Sequence, residues 1–182
     1  MGDMSSHDIN LRDADSFAHL FNKTHLQIFR YIYGLSGSPG HEVEDLTAET
    51  YTRAWKARHR FKGGEDAALR WLIQIARNLV IDTSRRSKVR GKRESLEDII
   101  YHENLQSGDL SPEEQLTKQN EYRTLGSLLD KLTYQQREML VLRYFLGWQV
   151  KRIATHLNMP DNTVSVYLRR TLEKLRKDWP EY

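Results

Sequence analysis

Apolar positions along this chain recur at helical spacing, and no stretch of useful length alternates as a strand would. Phe17, Leu20, Phe21, Thr24, Ile28, Ile32 and Leu35 form the inner stripe of a first predicted helix, capped by Asp15 or Ser16. The run from Gly34 to Gly40, with its glycines, serines and Pro39, ends that helix. A second helix is predicted from about Glu42 to Arg60, with Val43, Leu46, Thr50, Ala54, Ala57 and Phe61 turned inward. Its other face carries Glu42, Asp45, Glu49, Arg53 and Lys56, with Tyr51 and Trp55 nearby. After a loop at Lys62–Asp66, a third helix from about Ala67 to Arg86 buries Leu69, Leu72, Ile73, Ala76, Leu79 and Val80. Trp71 and Ile75 widen that stripe, which puts this helix at the centre of an N-terminal core.

Periodicity then lapses from Ser87 to about Gln119, a stretch with Gly91, Gly108 and Pro112 that reads as a flexible linker. It resumes near Asn120. Leu125, Leu128, Leu129 and Leu132 mark one helix, and Thr133 caps the next, which holds Met139, Leu140, Leu142 and Phe145 and stops at Gly147. Val150, Ile153, Ala154 and Leu157 mark a short helix, Asn158-Met159-Pro160 a turn, and Asp161 or Asn162 the cap of a last helix. The inner stripe of that last helix is Val164, Leu168, Thr171 or Leu172, and Leu175. The fold expected is all-α: two small helical domains, 1–90 and 120–182, joined by a linker at 91–119.

Charge changes the picture more by its order than by its sum, which is only +3. From Arg77 to Arg93 there are seven Lys/Arg against Asp82; from Glu94 to Glu121 eight acids stand against Lys118; from Arg143 to Lys177 eight Lys/Arg stand against Asp161 and Glu173. Two basic blocks suit phosphate contact, and the acidic linker between them does not. The chain has no cysteine, which excludes disulfides and thiolate metal sites, and no apolar run of the roughly 18 residues that a membrane span needs. The polar N-terminus lacks a signal-peptide core, so a soluble cytoplasmic protein without membrane insertion is expected. The seven histidines show no metal-ligand spacing, and neither a glycine-rich phosphate loop nor a nucleophile with a base is legible. No cofactor, no metal and no enzymatic activity are therefore expected.

Three motifs carry chemistry. From Val150 to Leu175 a short helix, a tight turn and a longer helix form a helix-turn-helix, whose second helix enters the major groove. Asn162, Thr163, Ser165, Val166, Tyr167, Arg169 and Arg170 are its base-reading and phosphate-contacting positions, with Arg152 on the bracing helix. A plain αα-hairpin with solvated charges is the alternative. Trp71–Arg86, WLIQIARNLVIDTSRR, joins an aromatic and aliphatic stripe to an arginine-rich exit. Arg77, Arg85 and Arg86 suit phosphates there, whereas Trp71 alone reads first as a core residue. In Glu44–Trp55, EDLTAETYTRAW, Asp45 and Glu49 share a helix face without a third ligand, and a protein-docking surface fits better than acid–base or metal chemistry.

Together these residues resemble the extracytoplasmic-function (ECF) sigma factors of bacterial RNA polymerase, from about Phe17 to Lys177. EDLTAETYTRAW is similar to the family's core-binding region, WLIQIARNLVIDTSRR to its promoter-melting and minus-ten region, and Leu132–Lys177 to its region four, which reads the minus-thirty-five element. The resemblance implies that Asp45, Leu46, Glu49, Arg53 and Trp55 bind the polymerase core, its beta-prime and beta subunits. It implies that the acidic linker threads the polymerase's basic nucleic-acid channel, and that the loop from Phe61 through Ala68 captures a flipped minus-ten base. Phe61, Lys62, Asp66, Trp71, Arg77, Asn78, Arg85 and Arg86 are the minus-ten candidates. Promoter DNA and an anti-sigma factor are the other partners implied. This chain departs from the family where Lys or Arg, Ser and Arg often follow the Thr-Val pair: here Ser165, Val166 and Tyr167 stand, and basic character shifts to Arg169 and Arg170. The rival readings are a repressor that uses the same helix-turn-helix without polymerase, and an enzyme with an appended DNA-binding domain.

Overall fold

The computed structural model describes residues 9–38, 40–87 and 124–179. All regular structure among them is helical. In chain order it comprises α1 (Ala14–Ser36), α2 (Gly40–Ala57), a 3₁₀ turn (Arg58–Arg60), α3 (Glu65–Ser87), α4 (residues 124–130), α5 (Tyr134–Leu140) continued by a π turn (Val141–Phe145), α6 (Val150–Leu157) and α7 (Asp161–Asp178). The chain divides into two compact units, Met1–Ile32 with Val43–Gly91, and Tyr33–Glu42 with Lys92–Tyr182. The end of α1 and the turn after it thus group with the second unit, where the sequence places them in the first. The predicted acidic linker lies outside the described residues.

In the first unit, Phe17, Leu20 and Ile28 of α1, Val43, Tyr51 and Ala54 of α2, and Leu72, Ile73, Ala76 and Val80 of α3 are buried. Each set follows the spacing of one helical face, so the burial that drives folding is written into the 3.6-residue period. Two expectations need correction. Phe21, expected in the inner stripe, is 40% exposed, while Tyr51, expected beside the polar face, is buried at 5%. The rings of Phe17 and Phe21 meet that of Tyr51 edge-on, with centroids 6.5 and 4.7 Å away. The Tyr51 hydroxyl lies 2.8 Å from Thr24 Oγ1. Tyr51 can be buried because Thr24 satisfies its polar end.

The helix starts also move. α1 begins one turn after Leu11, and its cap is Asp13, not Asp15 or Ser16. The Ser16 amide donates to the Asp13 carboxylate at 2.9 Å, and the Phe17 amide donates to the Asp13 carbonyl. A carboxylate in that place meets the orphan amides of the first turn, and these bonds hold Asp13 below its ordinary carboxylate range. α3 begins at Glu65, so Glu65 and Asp66, expected in the loop, form its acidic first turn. Lys23 of α1 pairs with Glu65 and fixes that turn against the neighbouring helix.

In the second unit Thr133 caps α5, as its sequence predicts. Its hydroxyl accepts from the Gln136 amide, and Gln136 Oε1 accepts from the Thr133 amide at 3.0 Å, a reciprocal capping box. Met139, Leu140, Leu142, Ile153, Ala154, Val164 and Leu168 form the core of this unit. Phe145, expected within it, is 37% exposed, because the π turn at Val141–Phe145 rotates the end of the helix away from the α-helical register. Gly147 ends the segment with a φ of +67°, a conformation that favours glycine. Asp161 and Asn162 do not cap α7: the flanking residue is Pro160, which supplies no side-chain bond, and Asp161 is already helical.

Candidate nucleic-acid interface

The turn between α6 and α7 decides how the second unit presents itself. Asn158 closes α6 in the left-handed conformation, at φ 53° and ψ 51°. The Met159 amide donates to the Ala154 carbonyl at 2.9 Å and the Asn158 amide to Thr155 at 3.4 Å, the paired bonds of a Schellman stop. Asparagine tolerates this conformation better than any branched residue would. Pro160 follows in an extended conformation and sends the chain into α7. Gln135 Nε2 donates to Met159 Sδ at 3.1 Å and so ties the turn to α5. The product is a helix-turn-helix whose longer helix has Val164, Leu168 and Thr171 buried and its opposite face in solvent.

That free face contains most of the expected DNA-reading positions. Asn162, Ser165, Tyr167, Arg169 and Arg170 are exposed, and Thr163 and Val166 are half-buried. Ser165 Oγ donates to the Asp161 carbonyl at 3.0 Å, which leaves its lone pairs as acceptors. Arg169 lies 3.9 Å from Glu173, a long pair between two exposed groups that does not tie the guanidinium down.

Arg152 stands apart from this set. It is half-buried, with its guanidinium carbon 4.0 Å from the centroid of the buried Trp148 ring. His156 meets the same ring edge-on at 5.4 Å. Arg152 therefore braces α6 through a cation–π contact. Trp148 was not singled out in the sequence; its signal is the spacing of Trp148, Arg152 and His156, four residues apart each time.

In the first unit the loop before α3 brings an aromatic pair together. Phe61 and Trp71 stack with centroids 5.0 Å apart and planes 30° from parallel, and both are half-buried. Trp71 is thus neither a plain core residue nor fully presented. Gly63 shapes the loop at φ +138°, where an added Cβ would come within 2.9 Å of the Ala67 methyl. Its carbonyl accepts from the Ile9 amide at 3.0 Å. Lys62 is exposed, and Asp66 pairs with Arg70 at 2.5 Å. Further along α3, Asn78 is exposed and accepts from Gln74 at 3.2 Å, Arg77 is half-buried and Arg85 exposed. Arg86 belongs to the last turns of α3, but its side chain lies outside the described set.

The expected docking face on α2 is only partly one surface. Glu49 and Arg53 are paired at 2.7 Å, and Asp45 is exposed on the preceding turn. Leu46 is half-buried, and its carbonyl accepts from Thr50 Oγ1 at 2.7 Å. Trp55 points elsewhere: it packs edge-on against Phe17 of α1 with centroids 5.0 Å apart, and Arg58 covers its ring at 3.5 Å. At 37% exposure Trp55 still presents an aromatic edge on the side of α2 that faces α1.

Among the described residues no helix is long and apolar enough to cross a membrane, and no cluster of three or more His, Cys, Asp or Glu could hold a metal ion.

Comparison with known proteins agrees with this geometry. Residues 20–90 match Sigma-70 region 2 and residues 122–175 match Sigma-70, region 4, together more than half of the chain. The ECF RNA polymerase sigma factor SigX of Bacillus subtilis is 25% identical over 163 residues, 90% of this chain and 83% of that protein. The sigma factor SigW of the same organism is 27% identical, across 91% of this chain and 89% of its own length. A sigma factor, RpoE, from Bartonella quintana, solved in complex with the anti-sigma factor NepR, shares the fold. Its TM-score is 0.65 at 18% identity, over 91% of this chain and 97% of that one.

Proposed function

Since the chain belongs to the ECF sigma factors of bacterial RNA polymerase, which direct the core enzyme to promoters and assist their opening, we propose how its residues divide that work. Residues 1–90 bind the polymerase core and the minus-ten element, 91–119 form an acidic connector, and 120–182 read the minus-thirty-five element. The observation that carries this division is the order of region 2 and region 4 along one chain, with the helix-turn-helix inside the second.

Asp45, Leu46, Glu49 and Arg53 engage the beta-prime and beta subunits, and Trp55 adds an aromatic contact on the adjoining side of α2. Phe61, Lys62 and Trp71 receive an unstacked minus-ten base, since stacked rings beside a lysine offer both π surface and charge. Asp66 and Asn78 line the approach as polar groups, while Arg77, Arg85 and Arg86 follow the phosphates along α3. On the upstream side Asn162, Thr163, Ser165, Val166, Tyr167, Arg169 and Arg170 face the groove, and Arg152 holds α6 in place for them. Strand opening draws on binding energy, with no cofactor and no reaction catalysed by this chain. The protein works in the cytoplasm, where the polymerase is, and an anti-sigma factor holds it inactive, as NepR accompanies the Bartonella protein in its complex.

Run-off transcription with core polymerase on a library of promoters tests this function. Transcripts should start at a defined class of promoters only when this chain is present. Charge reversal of Asp45 and Glu49 should weaken core association about tenfold, equivalent to roughly 1.4 kcal/mol. Tight binding to duplex DNA without polymerase, together with no promoter-dependent transcription, would favour the repressor reading instead.

A further inference from the structure

Two residues along an α-helix advance about 200° around its axis. The buried stripe of α7 is Val164, Leu168 and Thr171, with half-buried Leu175 continuing it. The stripe two residues out of step is therefore the one that points away from the unit: Asn162, Val166, Arg169 and Glu173. Ser165 and Tyr167, to either side of Val166, lie on the flanks of that outward face. The centre of the face is aliphatic.

Nothing within the unit accounts for a valine there. Its neighbours on the stripe are exposed and polar, so it has no apolar side chain of its own helix to pack on. A β-branched residue also lowers helix propensity relative to alanine, lysine or glutamate. What does match is the floor of the major groove, where the thymine C5-methyl is the one apolar group displayed by a base. Flanking groups complete a surface suited to A·T pairs: Asn162, one turn before, carries the amide that pairs with adenine, and Ser165 offers lone pairs because its proton goes to Asp161.

We infer that Val166 reads a thymine methyl group at the centre of the upstream promoter element, so that this element is recognised there as an A·T pair. The inference rests on the minus-thirty-five role of α7 proposed above. It adds the class of base read and the residue that reads it.

The test uses the full chain on core polymerase with a promoter selected by run-off transcription. Each thymine of the upstream element, on both strands, is replaced in turn by uracil, which removes the methyl and keeps every hydrogen-bonding group. One position should lose about fourfold in promoter affinity, the equivalent of a buried methyl at ~0.8 kcal/mol. With Val166→Ala that same position should bind thymine and uracil equally, while other positions keep their wild-type response. The substitution leaves the core of the unit untouched, and circular dichroism checks that the helix persists. If no thymine in the element responds, or if the response survives Val166→Ala, the inference is wrong although transcription continues. If the response disappears with Tyr167→Ala and not with Val166→Ala, the assignment to Val166 is wrong. Absence of promoter-dependent transcription would instead remove the DNA-reading role and the inference with it.

Discussion

Thr24 has one hydroxyl proton, and the Leu20 carbonyl takes it at 2.6 Å; Tyr51, whose oxygen lies 2.8 Å from Thr24 Oγ1, is therefore the donor in the bond between them. That bond joins α1 to α2 inside the first unit, and burial pushes the Tyr51 phenol up to about 12.

Tyr51→Phe should keep the packing against Phe17 and Phe21 and remove only the hydroxyl. The expected loss is about 1 kcal/mol, with Thr24 still bonded to Leu20. The raised phenol also sets a sign for alkali. A neutral buried tyrosine contributes stability that is complete below its unfolded value of 10.0 and is lost as pH rises toward 12. Urea unfolding between pH 9 and about 12 should show wild-type stability falling more steeply than that of Tyr51→Phe.

Two carboxylates act at the acidic end. The Ser16 amide lowers Asp13 from its ordinary 3.8, and Lys23 lowers Glu65 from 4.5. Stability from a lowered carboxylate is present above the unfolded value and disappears as pH falls through the folded one. The first unit should thus lose stability below about pH 4.5, and Asp13→Asn with Glu65→Gln should flatten that loss. Both groups are exposed, so salt should weaken the Lys23–Glu65 part. Helicity followed by circular dichroism during acid titration checks both effects; an unchanged acid limb in the double variant contradicts them.

The stacked rings of Phe61 and Trp71 predict a defect specific to strand opening. Phe61→Ala should lower transcription from a duplex promoter about tenfold, in line with ~1–3 kcal/mol for stacking of one base. A template whose minus-ten strands are mismatched and already open should recover part of that loss. Equal loss on both templates would mean that the rings serve only the fold.

In the second unit, Thr133→Ala removes the hydroxyl half of the capping box. It should destabilise this unit by about 1 kcal/mol, read as a lower Tm. Thr133→Ser should restore most of it, because serine accepts from the Gln136 amide equally well.

The interface was legible to different depths. Asn158 and Pro160 announced the helix-turn-helix because left-handed turns and helix starts each need particular residue types. The position of Arg152 was not legible: an arginine in a basic motif reads as a phosphate contact until Trp148 is seen beneath it. Trp55 misled in a similar way, since its spacing leaves open which neighbour it meets, and α1 claims it through Phe17.

What the sequence by itself determined were the helices, their buried stripes and the turn of the DNA-reading motif. Those depend on neighbours within a few residues, and the helical period and turn chemistry record them directly. Only the tertiary structure decided that Tyr51 goes in while Phe21 stays half out, that Asp13 is the cap, and that Val166 is central to the outward face of α7. Each depends on a partner or a packing direction supplied by another helix: Thr24 for the Tyr51 hydroxyl, and the core that fixes which side of α7 is inward. A one-dimensional pattern carries the period of a helix, and its rotation against its neighbours is settled when side chains from separate helices compete for the same buried space.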